Sequence, residues 1–160
     1  MHWSFFFNSF GSLLEGNQIL QKSSSSFLTT TPFTGFSNLD LYLMGFVPAS
    51  SVSGTFYVDS PSQFSPSYAF QPQSTPEAGV GFHGNAIPVA IGDVIAANDA
   101  RNPDAISSQK QFRDLFVLIT TTQTPATAAE TSYLELVRSS WEAYFSNVTK
   151  QKASIRTSLK

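Results

Sequence analysis

The chain has 160 residues, enough for a domain with a real core, yet only 12% are charged, about half the usual share of roughly 25%. A net charge of −2 argues against a nucleic-acid-binding footprint, and the absence of Cys removes disulfides, thiolate metal sites and a Cys nucleophile. No apolar run approaches the ~20 residues of a membrane span, and fifteen Phe are left to fill the core.

In chain order, the aromatic run from Trp3 to Phe7 reads as a buried strand over 3–7 whose beginning lies outside the chain. Gly11-Ser12 and Gly16-Asn17 are turn signals. Residues 21–35, with Ser23 to Ser26 in a row, read as a loop, at best a short exposed hairpin from Phe27 to Phe33. The densest run of mutually consistent signals follows. Ser37 can cap a helix, Asp40 lies three residues on, and Phe36 and Leu41 can staple its entry. Gly45 supplies a left-handed stop and Pro48 prevents continuation, so the spacing predicts a helix over 37–44. Leu39, Tyr42, Leu43 and Phe46 give it one apolar face. So short a helix is not stable alone in water and must be held by packing.

A strand near 54–58 ends at Asp59-Ser60-Pro61, and residues 60–77, with four Pro, read as an irregular surface loop. Val80 to Gly84 reads as a strand end and turn, followed by a strand near 86–91 and a helix over 93–98 capped by Asp93. The strongest strand is expected at 114–120, where the run Leu115 to Ile119 suits burial on both faces. Thr124-Pro125 and the Thr127/Glu130 capping box open a helix over 126–146. Tyr133, Leu134, Val137, Trp141, Tyr144 and Phe145 form its core face. Residues 148–160 are a docked final segment or a frayed tail. The expected class is α+β: a small mixed or antiparallel sheet with a few helices. It would be a single domain over 1–160 or the C-terminal portion of a larger one.

No complete catalytic constellation is visible. The two histidines, His2 and His83, are far apart, and His-Glu-x-x-His and Gly-x-Ser-x-Gly are absent. Asp40 and Glu15 could pair as carboxylates, but Asp40 is already explained as a capping residue.

Several stretches together resemble a group of secreted bacterial proteins similar to zinc metallopeptidases. They are His2 to Phe6, Gly11 to Asn17, Phe36 to Pro48, Asp93 to Asn98, Ala100 to Asp104, Gln109 to Arg113 and Arg138 to Phe145. The resemblance implies a His-Glu-x-x-His helix upstream of His2, so the chain would be the C-terminal part of a peptidase-like domain, catalytically incomplete by itself. Tyr42-Leu43-Met44-Gly45 resembles the Met-containing turn beneath the zinc of metzincin-type peptidases. His2 or Glu15 would be the third zinc ligand of the intact protein, with His2 preferred because imidazole suits zinc. The same resemblance implies extracellular localisation and a peptide or protein substrate. The alternative is a non-catalytic secreted interaction module, with the loops at 21–35 and 60–77 as its recognition surface.

Overall fold

A computed structural model describes residues 2–30 and 35–158 and divides the chain into two units, Met1–Ser108 and Gln109–Lys160. The class is α+β, as the sequence predicts. The first unit holds β1 (Ile19–Gln21), β2 (Ser26–Thr29), α1 (Asn38–Leu43), β3 (Thr55–Ser65), β4 (Gly81–Val89) and α2 (Ile91–Asn98). The second holds β5 (Gln111–Arg113), α3 (Ala128–Val148) and β6 (Ser154–Arg156).

In the first unit the strands form one antiparallel sheet in the order β1-β2-β4-β3. Phe5, Phe6, Phe27, Phe70 and Phe82 are buried together on it. Their rings stack or meet edge to face, with Phe5 and Phe70 centroids 4.5 Å apart and Phe6 and Phe82 5.6 Å apart. Such pairs add about 0.5–1.5 kcal/mol each beyond the area they bury.

In the first unit the N-terminal aromatic run, the serine run and both long strands differ from expectation. Residues 3–7 are not a strand. Phe5 and Phe6 are both buried, and a strand would send consecutive side chains to opposite faces. A turn closed by the Phe7 N–H on the Ser4 carbonyl (3.0 Å) lets both enter the core. The serine run is the tip of a hairpin joining β1 to β2, earlier in the chain than the 27–33 hairpin expected, part of which lies outside the described residues. The strand predicted to stop at Asp59 continues to Ser65. Register breaks between Asp59 and Ser62 and between Ser62 and Ser65 absorb Pro61, which has no N–H to give a ladder. Residues 81–89 are likewise one continuous strand. Gly84 is required within it, because a Cβ there would overlap the Val58 side chain and lie 2.8 Å from the Asp59 carbonyl oxygen.

Helix α2 begins two residues earlier than predicted, at Ile91. Asp93 is its third residue rather than its cap, and its carboxylate accepts from the Ala90 N–H at 2.7 Å.

The second unit departs furthest from expectation. The strand predicted over 114–120 is not formed; the paired residues are Gln111–Arg113, just before it, in parallel with β6. The segment beyond is not buried on both faces: Leu115, Val117 and Ile119 are 69, 73 and 89% exposed. Its alternate residues turn to α3 instead. Phe112 meets Phe145 edge to face, Phe116 meets Trp141, and the Trp141 indole N–H donates to Asp114 at 2.8 Å. Helix α3 starts at the predicted Thr127/Glu130 capping box. Its predicted core face is only half covered. Leu134, Val137, Trp141 and Phe145 are partly buried, whereas Tyr133 and Tyr144 are exposed. The tail is docked. Ala153, Ile155 and Thr157 are buried, and Thr157 donates to Glu142 through its N–H (2.7 Å) and its hydroxyl (2.9 Å).

These contacts set an acid limit on the second unit. Thr157 holds the Glu142 carboxyl below its ordinary range, first through its N–H and then through its hydroxyl. Thr127 does the same for Glu130, and Arg138 for Glu135. A carboxyl depressed in the folded state contributes its full stability above the unfolded value of about 4.3 and loses it as pH falls through the lower folded value. Thermal unfolding followed by helical circular dichroism should therefore drop in midpoint as pH goes from about 5 towards 3. Glu142→Gln, which keeps an acceptor for Thr157 but cannot titrate, should flatten part of that drop.

Candidate functional site

The residues singled out by the sequence gather around α1. Its N-terminus is a complete capping box. The Asp40 N–H donates to the Ser37 hydroxyl oxygen (3.1 Å), and the Ser37 N–H donates to the Asp40 carboxylate (2.6 Å). The carboxylate does more than cap. It is 1% exposed and also accepts from the Trp3 indole N–H (2.7 Å) and the Ser12 hydroxyl (2.6 Å). One buried carboxylate thus ties together three separate stretches of chain, held by three neutral donors.

The other end of α1 closes as its glycine requires. Gly45 has φ +78°, its N–H donates to the Tyr42 carbonyl (2.8 Å), and the Phe46 N–H reaches the Leu41 carbonyl (2.7 Å). This is the Schellman arrangement. Tyr42 is buried, and its hydroxyl accepts from the Arg101 N–H at 3.0 Å. The Arg101 Nε donates to the Leu43 carbonyl at 2.8 Å, a cation on one of the helix's unpaired C-terminal carbonyls. Met44 is half-buried at the cap position and donates its N–H to the Asp40 carbonyl. A Cβ on Gly45 would overlap the Ser108 hydroxyl and lie 3.3 Å from the Pro103 carbonyl oxygen, so the turn is packed tightly against 103–108.

The two candidate ligands flank a backbone hydrogen bond between neighbouring segments. The Trp3 N–H donates to the Leu14 carbonyl at 2.9 Å, and His2 and Glu15, each next to one of these residues in sequence, are both exposed. His2 Nδ1 lies 2.9 Å from the Trp3 carbonyl oxygen; donating there leaves Nε2 as the outward lone pair, the tautomer a metal-binding imidazole uses. Even so, two donors fall short of the three protein ligands of a catalytic zinc site. Among the described residues no group of three or more His, Cys, Asp or Glu converges. His83 is exposed on β4, paired in register with Ser26 and Ser62.

Comparison with known protein families, characterised proteins and solved structures finds no match. Among the described residues no helix is long and apolar enough to cross a membrane.

The sequence named Tyr42, Met44, Gly45, His2 and Glu15 but gave no role to Trp3, Ser12, Arg101 or Ser108. These four come from sites remote in sequence, and no local spacing rule links them to α1. The one available signal was that a Trp in a core needs an acceptor for its indole N–H.

Asp40→Ala leaves three donors without their acceptor and should cost about 3 kcal/mol or more in urea unfolding. Asp40→Asn, which keeps the shape and one carbonyl oxygen, should cost less. Gly45→Ala should destabilise by at least about 1–2 kcal/mol, from its positive φ alone. Gly92→Ala in α2, where nothing lies within 4 Å of the added methyl, should be neutral or stabilise by up to about 1 kcal/mol.

Proposed function

We propose that this chain is the C-terminal, Met-turn-containing part of an extracellular zinc metallopeptidase, catalytically incomplete by itself. The observation that supports it is the clustering around one short helix. The stretches that carry the resemblance at 2–6, 11–17, 36–48 and 100–104 all bond to α1 or to each other there. In this reading Tyr42, Met44 and Gly45 form a packed structural base, and His2, or failing it Glu15, is the ligand this chain contributes. An upstream His-Glu-x-x-His segment supplies the remaining ligands and the general base, and the substrate is a peptide or protein. Bound zinc would acidify a water and polarise the scissile carbonyl. This chain's own residues would hold and orient the site, and no catalytic residue is assigned within it.

A second reading, a non-catalytic interaction module, is favoured by a groove of about 650 Å³ in the first unit. Phe6, Tyr57, Pro61, Phe64 and Pro72 line it. It draws on the Pro-rich region at 60–77, although that region is partly strand and contributes the buried Phe70 to the core.

Zinc calorimetry separates the two. The chain by itself should bind zinc weakly. Joined to its upstream His-Glu-x-x-His segment it should bind one zinc tightly, and His2→Ala should lower that affinity by more than the roughly 10–100-fold that second-shell losses cost. Tight binding that ignores His2 but falls with Glu15→Ala would exchange the ligands. No binding in the joined form would remove the peptidase reading and leave the interaction module.

A further inference from the structure

The segment after β5 has the chemistry of an unpaired strand. From Asp114 to Thr121 the chain runs without turn or bend. The Asp114 N–H donates to the Arg156 carbonyl at 3.0 Å, and there the ladder with β6 ends. From Leu115 to Thr120 no backbone hydrogen bond follows among the described residues. Side chains nevertheless alternate as in a strand. Asp114 and Phe116 turn to α3, while Leu115, Val117 and Ile119 stand 69, 73 and 89% exposed. Exposed apolar side chains on a straight backbone with free N–H and C=O groups are a template for another strand.

The composition of the segment points to what that strand is. Residues 115–126 carry no charge, contain no Gly, and hold no Pro before Pro125. Such a run meets no electrostatic penalty in pairing with itself. Antiparallel pairing centred on Val117 sets Leu115 opposite Ile119, Phe116 opposite Leu118 and Asp114 opposite Thr120. All three outward apolar positions then find apolar partners across the strands, at the 4.5–5.5 Å Cβ separations where such pairs stabilise a sheet. The flanking charges face threonines. The present two-stranded sheet is also below the three strands that a sheet usually needs for stability of its own.

We propose that two copies of this chain form a two-fold symmetric dimer through antiparallel pairing of residues 114–120, giving a four-stranded sheet ordered β6-β5-β5-β6. The contact is isologous and closes on itself, which limits growth to two. Both copies of α3 lie on one face of this sheet, and Leu115, Val117 and Ile119 of each copy gather on the other. The proposal is independent of the zinc reading, since it rests on residues in the second unit.

Sedimentation equilibrium on the full chain tests it at roughly 100 µM, where a contact with Kd near 10 µM is mostly formed. The wild type should be a dimer, with slow amide exchange at 115–120 that speeds up on dilution. Val117→Lys sets two like charges opposite each other at the centre, and Val117→Glu does the same. Each variant alone should be monomeric with unchanged circular dichroism, because the side chain is exposed. Mixing the two should restore a dimer. A monomeric wild type, variants that stay dimeric, or association that grows without limit would each overturn the proposal.

Discussion

The first unit depends on one buried carboxylate. An ionisable group at 1% exposure is costly unless its oxygens are satisfied, and Asp40 meets that condition with donors from three places in the chain. The constraint runs both ways. The Ser37 N–H fixes where α1 starts, while Trp3 and Ser12 fix the N-terminal segment against it. With α1 fixed, its C-terminal turn at Met44-Gly45 has one place to go, and Arg101 and Ser108 close over it. A six-residue helix has little stability of its own. Its position is therefore a property of the polar contacts at its two ends and of the buried face between them.

The second unit is built on a different balance. Its long helix is capped and its tail is docked, but among the described residues its strand is paired on one edge and over three residues. Aromatic contacts from Phe112 and Phe116 fasten one face of the extended segment to α3. The opposite face keeps three large aliphatic side chains in solvent. Single exposed apolar residues are ordinary on protein surfaces, whereas an alternating row on an unpaired backbone is a defined pattern with a defined complement.

How legible each part was in the sequence follows from the range of the interactions that determine it. The capping boxes Ser37/Asp40 and Thr127/Glu130 act over three residues, so both helix starts could be read, and Gly45 marked the end of α1 for the same reason. The long strands could not be read, because Pro61 and Gly84 look like strand breakers. They are tolerated only because β3 is bulged where it passes β4, a pairing that local pattern does not encode. The Leu115 to Ile119 run misled for another reason. A continuous apolar run is the pattern of a strand covered on both faces, but pattern cannot say whether the chain itself supplies the cover. Of the candidate site, the turn residues were legible and the donors that hold Asp40 were not, since Trp3 and Ser12 lie 37 and 28 residues away.

The measurement that bears most directly on this account is hydrogen exchange at the Trp3 indole N–H and the Ser37 amide, followed by NMR on the intact chain. If the Asp40 carboxylate organises the first unit, both protons exchange slowly and together, opening only when the sheet's core amides open. Rapid exchange of either proton while the amides of β3 and β4 stay protected would contradict it, and would make Asp40 a local cap without a wider structural role.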